Sequence, residues 1–184
     1  MVSADAMKTL ILLRHAKSGW DDPVATDFDR PLNPKGRKAA LAVGREMRER
    51  AIAFDWAVAS PAVRVVDTLE VVGEGYGRPI RPVYDQRLYL ASAQALLERI
   101  RGVGEEVGRL LLVGHNPGLE RLTLMLTRDD GDGLREAAAE KYPTAAVAEI
   151  ALPVERWRDV AEGAGRLELF IRPRDLDPAL GPDA

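Results

Sequence analysis

Apolar positions fall into two alternating kinds of run along the chain. Residues 8–13, 56–59, 80–83 and 109–113 are short, nearly continuous apolar stretches, the pattern of strands buried on both faces. Between them, residues 34–50, 61–74, 92–101 and 117–126 space their apolar side chains three and four apart. Ala39, Ala40, Val43 and Met47 make one such face; Val65, Val66, Leu69 and Val72 make the next. Leu96, Leu97 and Ile100, then Leu119, Leu122 and Leu126, complete the set of amphipathic helices. Two further strands are predicted at 145–152 and 167–171; their direction is open, and an antiparallel edge fits them. This alternation predicts an α/β fold, a three-layer α/β/α arrangement around a mostly parallel central sheet. Residues 128–141, RDDGDGLREAAAEK, read as a polar insertion bordering the pocket mouth, with one or two helical turns at 134–141. The tail 173–184 holds little to bury and is expected to fray, and residues 1–6 read as a loose leader, with Met7 a candidate start.

Length and composition narrow the class. A chain of 184 residues suits one domain, taken here as 1–184. With 26 Lys and Arg against 29 Asp and Glu, it carries no excess of positive charge for nucleic acid or an anionic membrane, so any anion site is local. There is no cysteine, which removes thiolate nucleophiles, disulfides and thiolate metal ligands. No apolar run approaches the ~20 residues of a membrane span, and the first residues lack a signal-like core. A cytoplasmic protein is expected; oligomeric state is not legible.

Chemistry enters at the strand ends. Asn33-Pro34, Ser60-Pro61 and Asn116-Pro117 each set a capping side chain before a proline, which predicts three helix starts. Two of these directly follow strands, at Ala59 and at Gly114-His115, and Arg14-His15 closes the first strand in the same way. Ligands of open parallel sheets sit at the carboxyl ends of strands, where helix N-termini offer free amides to anions. Three strand ends therefore bring together Arg14, His15, Arg64 and His115, which include both histidines of the chain. Guanidinium forks match phosphate oxygens. A neutral imidazole can attack phosphorus, and a second, protonated one can stabilise the charge on the equatorial oxygens.

Each residue also has a plainer reading. His15 could bond a backbone carbonyl, His115 could shape a turn, Arg64 could pair with Asp67, and Arg14 could cover the core edge with its stem. A two-histidine metal site lacks an evident third ligand, and the arginines would repel a cation. Four independent coincidences at one sheet edge weigh against the plain set taken together.

The stretches LLRHAKSGW, DFDRPLNPKGR, ASPAVRVVDT, LLLVGHNPGLERL and KYPTAAVAEI resemble the histidine phosphatase superfamily, the phosphoglycerate-mutase-like fold. The likeness is greatest to small phosphohistidine phosphatases of the SixA type, and it spans residues 8 to about 150. The resemblance implies that His15 is the phosphorylated nucleophile, that Arg14 and Arg64 bind phosphate, and that His115 is the second pocket histidine. It places Arg30 near the phosphate as well; the alternative is a loop arginine bonded to Asp27 or Asp29. It implies no metal or cofactor.

Two departures stand out. Ala16 replaces the family's usual glycine, which implies ordinary backbone geometry there. In the segment DQRLYLASA, where mutases and many ester phosphatases carry an acidic proton donor, the counterpart falls at Tyr89-Leu90, and Asp85 is the nearest acid. An alkoxide leaves poorly without a donor, and a positioned acid contributes ~10²–10⁴-fold. An imidazole whose other nitrogen holds a proton departs neutral. The expected function is therefore a metal-independent phosphatase acting through a phosphohistidine intermediate, its substrate phosphohistidine on a protein. The alternatives are a phosphatase of small esters using Asp85 or water as acid, and a non-catalytic binder of phosphorylated ligands. Lys17, Ser18 and Trp20 are candidates for the pocket entrance, with packing the other reading of Trp20.

Overall fold

The apolar runs assemble into one six-stranded sheet in the order β3-β2-β4-β1-β5-β6. The strands are β1 (Lys8–Arg14), β2 (Trp56–Ala59), β3 (Val83–Tyr84), β4 (Arg109–Gly114), β5 (Val147–Leu152) and β6 (Arg166–Ile171). The computed structural model describes residues 7–20, 23 and 26–181; the expected leader at 1–6 lies outside the described residues. β1, β4, β2 and β3 pair in parallel, and β5 is antiparallel to both β1 and β6. Only β5 therefore runs against the rest, so the sheet is mostly parallel and the antiparallel element lies second from one edge.

Helices α1 (Pro34–Glu49), α2 (Val63–Tyr76) and α6 (Pro173–Leu176) cover one face. Helices α3 (Ala93–Arg101), α4 (Gly118–Leu126) and α5 (Leu134–Glu140) cover the other. Alternation along β1 and β4 divides the core accordingly. Leu10, Leu12, Leu110 and Leu112 pack toward the second group with Trp157, and Ile11, Leu13, Leu111 and Val113 pack toward the first. The expected three-layer α/β/α class is thus met.

The capping predictions hold at one position and shift at two. Asn33 accepts from the Gly36 amide at 2.7 Å and starts α1 at Pro34. α2 begins two residues later than predicted, at Val63; Ser60 Oγ accepts from the Ala62 amide at 3.3 Å and from His115 at 2.8 Å. α4 begins at Gly118, one residue late; Asn116 still accepts from the Glu120 amide, while its Nδ2 donates to the Tyr142 carbonyl. Gly36 has a separate task. A Cβ there would stand 2.1 Å from the Lys17 carbonyl oxygen, so the glycine lets the start of α1 press against the chain just beyond His15.

Two expectations about the periphery change. The tail does not fray over 173–181. Asp175 accepts from the Arg172 amide and guanidinium at the start of α6, a 3-10 turn at Pro178–Leu180 follows, and Leu176 and Leu180 pack on the core beneath α1. The insertion at 128–141 is not only solvated. Its expected helical turns form, as α5, but Ala138 there is buried and Arg135 donates to the carbonyls of Leu124 and Thr127. Among the described residues no helix is long and apolar enough to cross a membrane.

Candidate active site

Register places the site. Arg14 pairs with Gly114, and Ala59 pairs with Val113, so the next residues of three parallel strands, His15, His115 and Ser60, leave the sheet together. The His15 and His115 ring centroids lie 5.2 Å apart, close enough to flank one phosphoryl group. Arg64, in the first turn of α2, stands between them. Its Nε is 3.4 Å from His15 Nε2 and its Nη2 is 3.3 Å from His115 Nδ1. The four residues predicted from the strand ends therefore line one cavity of about 390 Å³, together with Lys17, Ser18, Asp27 and Arg30.

Hydrogen bonds fix the ring tautomers. The Ala16 carbonyl can only accept, so His15 Nδ1, 2.7 Å away, carries the proton and Nε2 presents its lone pair to the cavity. Arg64 can only donate, so His115 Nδ1 accepts and its Nε2 donates to Ser60 Oγ at 2.8 Å. Burial pushes His15 down to about 3, and His115, Arg14 and Arg64 add to this against the opposing Ala16 bond. His115 is pushed down to about 4, again mainly by burial and then by the Arg64 charge. Both rings are neutral near neutrality. The expected protonated His115 is thus not its resting state, and a dianionic phosphoryl group would raise its affinity for a proton.

Arg14 donates from Nη1 to the Tyr142 carbonyl at 2.9 Å, while its buried Nε has no partner. A buried donor left unpaired costs about 1–3 kcal/mol. Arg64 does not pair with Asp67; it is buried and directed into the cavity, with Nη1 on the Asp27 carbonyl and Nη2 on Asp27 Oδ2. Arg30 reaches the cavity wall and also satisfies its plainer reading, bonding Asp27 Oδ1 at 2.8 Å and Ser18 Oγ at 2.9 Å. Trp20 is 72% exposed and stacks on the Arg30 guanidinium at 4.0 Å, outside the cavity lining.

The carboxylate in the cavity is one the sequence reading assigned only to Arg30. Asp27 accepts from Tyr89 Oη at 2.6 Å and from Arg30 and Arg64, and these bonds, Tyr89 first, hold it down to about 2. Asp85 is elsewhere, clamped by Arg87 and Arg99 at 2.8 Å each and held well below the carboxylate range by those bonds. Ser60, expected as a helix cap, Tyr89, expected at the place of an absent acid, and the Tyr142 carbonyl are neighbours of the site whose partners were not legible in the sequence. The Ser60 and Tyr142 positions lie inside motifs the sequence reading singled out; their partners come from distant segments. Among the described residues no group of three or more His, Asp or Glu side chains is set to hold a metal ion.

Residues 10–89 match the histidine phosphatase superfamily (branch 1). An uncharacterized protein of Mycobacterium tuberculosis is 37% identical over 164 residues, covering 88% of this chain and all of the relative. A putative phosphohistidine phosphatase SixA from Nakamurella multipartitia superposes with a TM-score of 0.78 at 28% identity, covering 91% of this chain and 96% of that one. The putative phosphohistidine phosphatase SixA from Agrobacterium tumefaciens gives 0.73 at 30% identity, covering 90% and 98%. The chain belongs to the histidine phosphatase superfamily, and within it to the SixA type. It is a phosphatase of the phosphohistidine-phosphatase-like kind.

The two buried neutral imidazoles make stability depend on acid. Each has a folded affinity for protons below its ordinary value of 6.5, so the unfolded chain binds more protons below that pH and unfolding is favoured. Between about pH 6.5 and about pH 4, each histidine is expected to cost up to ~1.4 kcal/mol of stability per pH unit. Urea melts across this range check it; replacing both His15 and His115 by Gln should flatten the dependence there, leaving the carboxylate losses at lower pH.

Proposed function

We propose that this protein hydrolyses phosphohistidine on a protein substrate through a covalent phospho-His15 intermediate. The observation that carries the reading is His15 itself, a buried neutral ring whose Nδ1 proton is held by Ala16 and whose Nε2 lone pair faces the cavity. The phosphoryl group enters between Arg14, Arg64 and His115, with Arg30 at the wall. Nε2 attacks phosphorus in line as the substrate's P–N bond breaks, and the leaving imidazole keeps the proton on its other nitrogen and departs neutral. Water then adds to phosphorus, the P–Nε2 bond breaks, and His15 returns with its proton still on Nδ1. His115, once protonated in response to the phosphoryl charge, and the guanidiniums stabilise the equatorial oxygens.

The acid inventory supports phosphohistidine over esters. Asp27 is the one carboxylate lining this cavity among the described residues, and it is ionised and engaged by Tyr89, Arg30 and Arg64, so it has no proton to give an alkoxide. Asp85, the donor considered from the sequence, is held by two arginines outside the cavity. A cysteine-free chain and a protein-borne phosphohistidine both fit the cytoplasm.

Rates on substrates of different leaving group test the reading. Phosphohistidine should be cleaved with kcat/KM at least about 10²-fold above serine or sugar phosphates, which need a proton donor. Equal or better turnover of those esters would favour the small-ester alternative, and binding without phosphate release would favour a non-catalytic role.

A further inference from the structure

Asp27 is the one carboxylate among the described residues that lines the catalytic cavity, a space that otherwise presents cations, imidazoles and neutral side chains. A carboxylate free to face that space would repel a phosphoryl group. Its oxygens are engaged instead. Oδ1 accepts from Arg30 Nε at 3.0 Å and Nη2 at 2.8 Å. Oδ2 accepts from Arg64 Nη2 at 3.1 Å and from Tyr89 Oη at 2.6 Å. The Asp27 carbonyl takes Arg64 Nη1 at 2.8 Å as well, so one residue holds both ends of the Arg64 fork. A guanidinium has five N–H donors. Those on Asp27 anchor it. The ones facing His15 Nε2 and His115 Nδ1, at 3.4 and 3.3 Å, make longer contacts that an incoming phosphoryl oxygen can replace.

Tyr89 closes this arrangement from a third segment, between the 3-10 turn at Gln86–Leu88 and α3. Its hydroxyl makes the shortest bond on the Asp27 carboxylate. Its ring packs on the core, edge-on to Phe28 at 5.1 Å and to His115 at 5.4 Å, with Arg64 Cζ 5.9 Å from its centroid. Tyr89 does not line the cavity, so it meets a phosphoryl group only through these neighbours. We infer that Tyr89 is a positioning residue for phosphoryl transfer, acting through Asp27 to fix the plane of the Arg64 guanidinium. The inference rests on Arg64 as a phosphoryl ligand and adds the group that aims it. The Asp27 side chain is 35% exposed and sits in a short 3-10 turn, where it can rotate about its own bonds. One short bond from a packed ring removes that freedom, and Arg64 inherits the fixed orientation.

Tyr89→Phe removes the hydroxyl and keeps the ring, so it tests the bond alone. It should lower kcat/KM for phosphohistidine about tenfold with a melt close to wild type. The loss should fall mostly in kcat, because Arg14 still binds the ground state while the Arg64 fork is less well aimed at the transition state. Affinity for orthovanadate, which adopts the five-coordinate geometry of phosphoryl transfer, should drop by a similar factor in calorimetry. A double-mutant cycle separates positioning from packing. In an Asp27→Ala background, Tyr89→Phe should cost less than about twofold, since the hydroxyl then has no carboxylate to hold. Turnover and vanadate affinity of Tyr89→Phe both within about twofold of wild type would overturn the assignment, and so would an equal loss in the two backgrounds. A wild type that binds vanadate but cleaves no phosphohistidine would overturn the substrate reading instead, and the vanadate comparison would still decide for or against Tyr89.

Discussion

His15→Ala is expected to lower phosphohistidine hydrolysis by at least about 10³-fold and to abolish phosphate trapped on the enzyme. The size of the effect follows from what the ring supplies. Its Nε2 is the unprotonated nitrogen of the ring and faces the cavity, where Arg64 Nε approaches it to 3.4 Å and can turn to an incoming phosphoryl oxygen. Without it the reaction must proceed by direct attack of water, with the arginines still binding substrate. KM should therefore change far less than kcat. The intermediate gives a second, independent readout. A P–N bond survives base and breaks in acid, so wild-type protein quenched in base after mixing with labelled phosphohistidine should carry acid-labile label, and His15→Ala should carry none. His15→Gln guards against a folding failure, because it keeps a side chain of similar length in the same buried space. If either variant keeps wild-type turnover with a normal melt, the covalent route is wrong. Label found on His115 in place of His15 would reverse the two roles.

The convergence behind this expectation was legible in the chain because parallel strands end on one side of a sheet. Arg14-His15, Ser60 and His115 needed only that their strands be neighbours, and the β1–β4 and β2–β4 registers make them so. What the strand pattern did not reveal came from contacts across loops. Ser60 reads locally as a helix cap, and its hydroxyl does accept from the Ala62 amide, but it also meets His115, and the helix starts two residues later. Asp27 reads as a partner for Arg30, which it is, but Tyr89 and Arg64 reach it from positions 62 and 37 residues away. Asp85 looked like the nearest acid along the chain; in space, Arg87 and Arg99 hold it outside the cavity. The tail shows the same limit. Its prolines suggest disorder, but Pro173 begins a capped turn and Leu176 and Leu180 find the core under α1. Local composition set each expectation, and tertiary partners decided the outcome.

Arg64 should prove nearly as demanding as the nucleophile. Arg64→Lys is expected to reduce kcat/KM by about 10²–10³-fold, even though the charge is kept. The guanidinium spans four positions at once: Nε by His15, Nη2 between His115 and Asp27 Oδ2, and Nη1 on the Asp27 carbonyl. An ammonium at the end of a flexible stem cannot hold two rings and a carboxylate in one plane while meeting phosphate oxygens. Arg64→Met goes further by removing the charge. Asp27 keeps its bonds to Tyr89 and Arg30, so the fold is not left with an isolated carboxylate. The Arg64 charge opposes protonation of both rings, as the second influence on His115 after burial and a lesser one on His15. In Arg64→Met the two histidines should therefore titrate at higher pH than in the wild type, His115 moving more. With only two histidines in the chain, their ring protons can be followed individually by NMR. A purely structural arginine would leave those titrations in place and lower activity only in proportion to the unfolded fraction. Activity within a few-fold of wild type in Arg64→Lys, or unmoved titrations in Arg64→Met, would take the guanidinium out of the phosphate cradle.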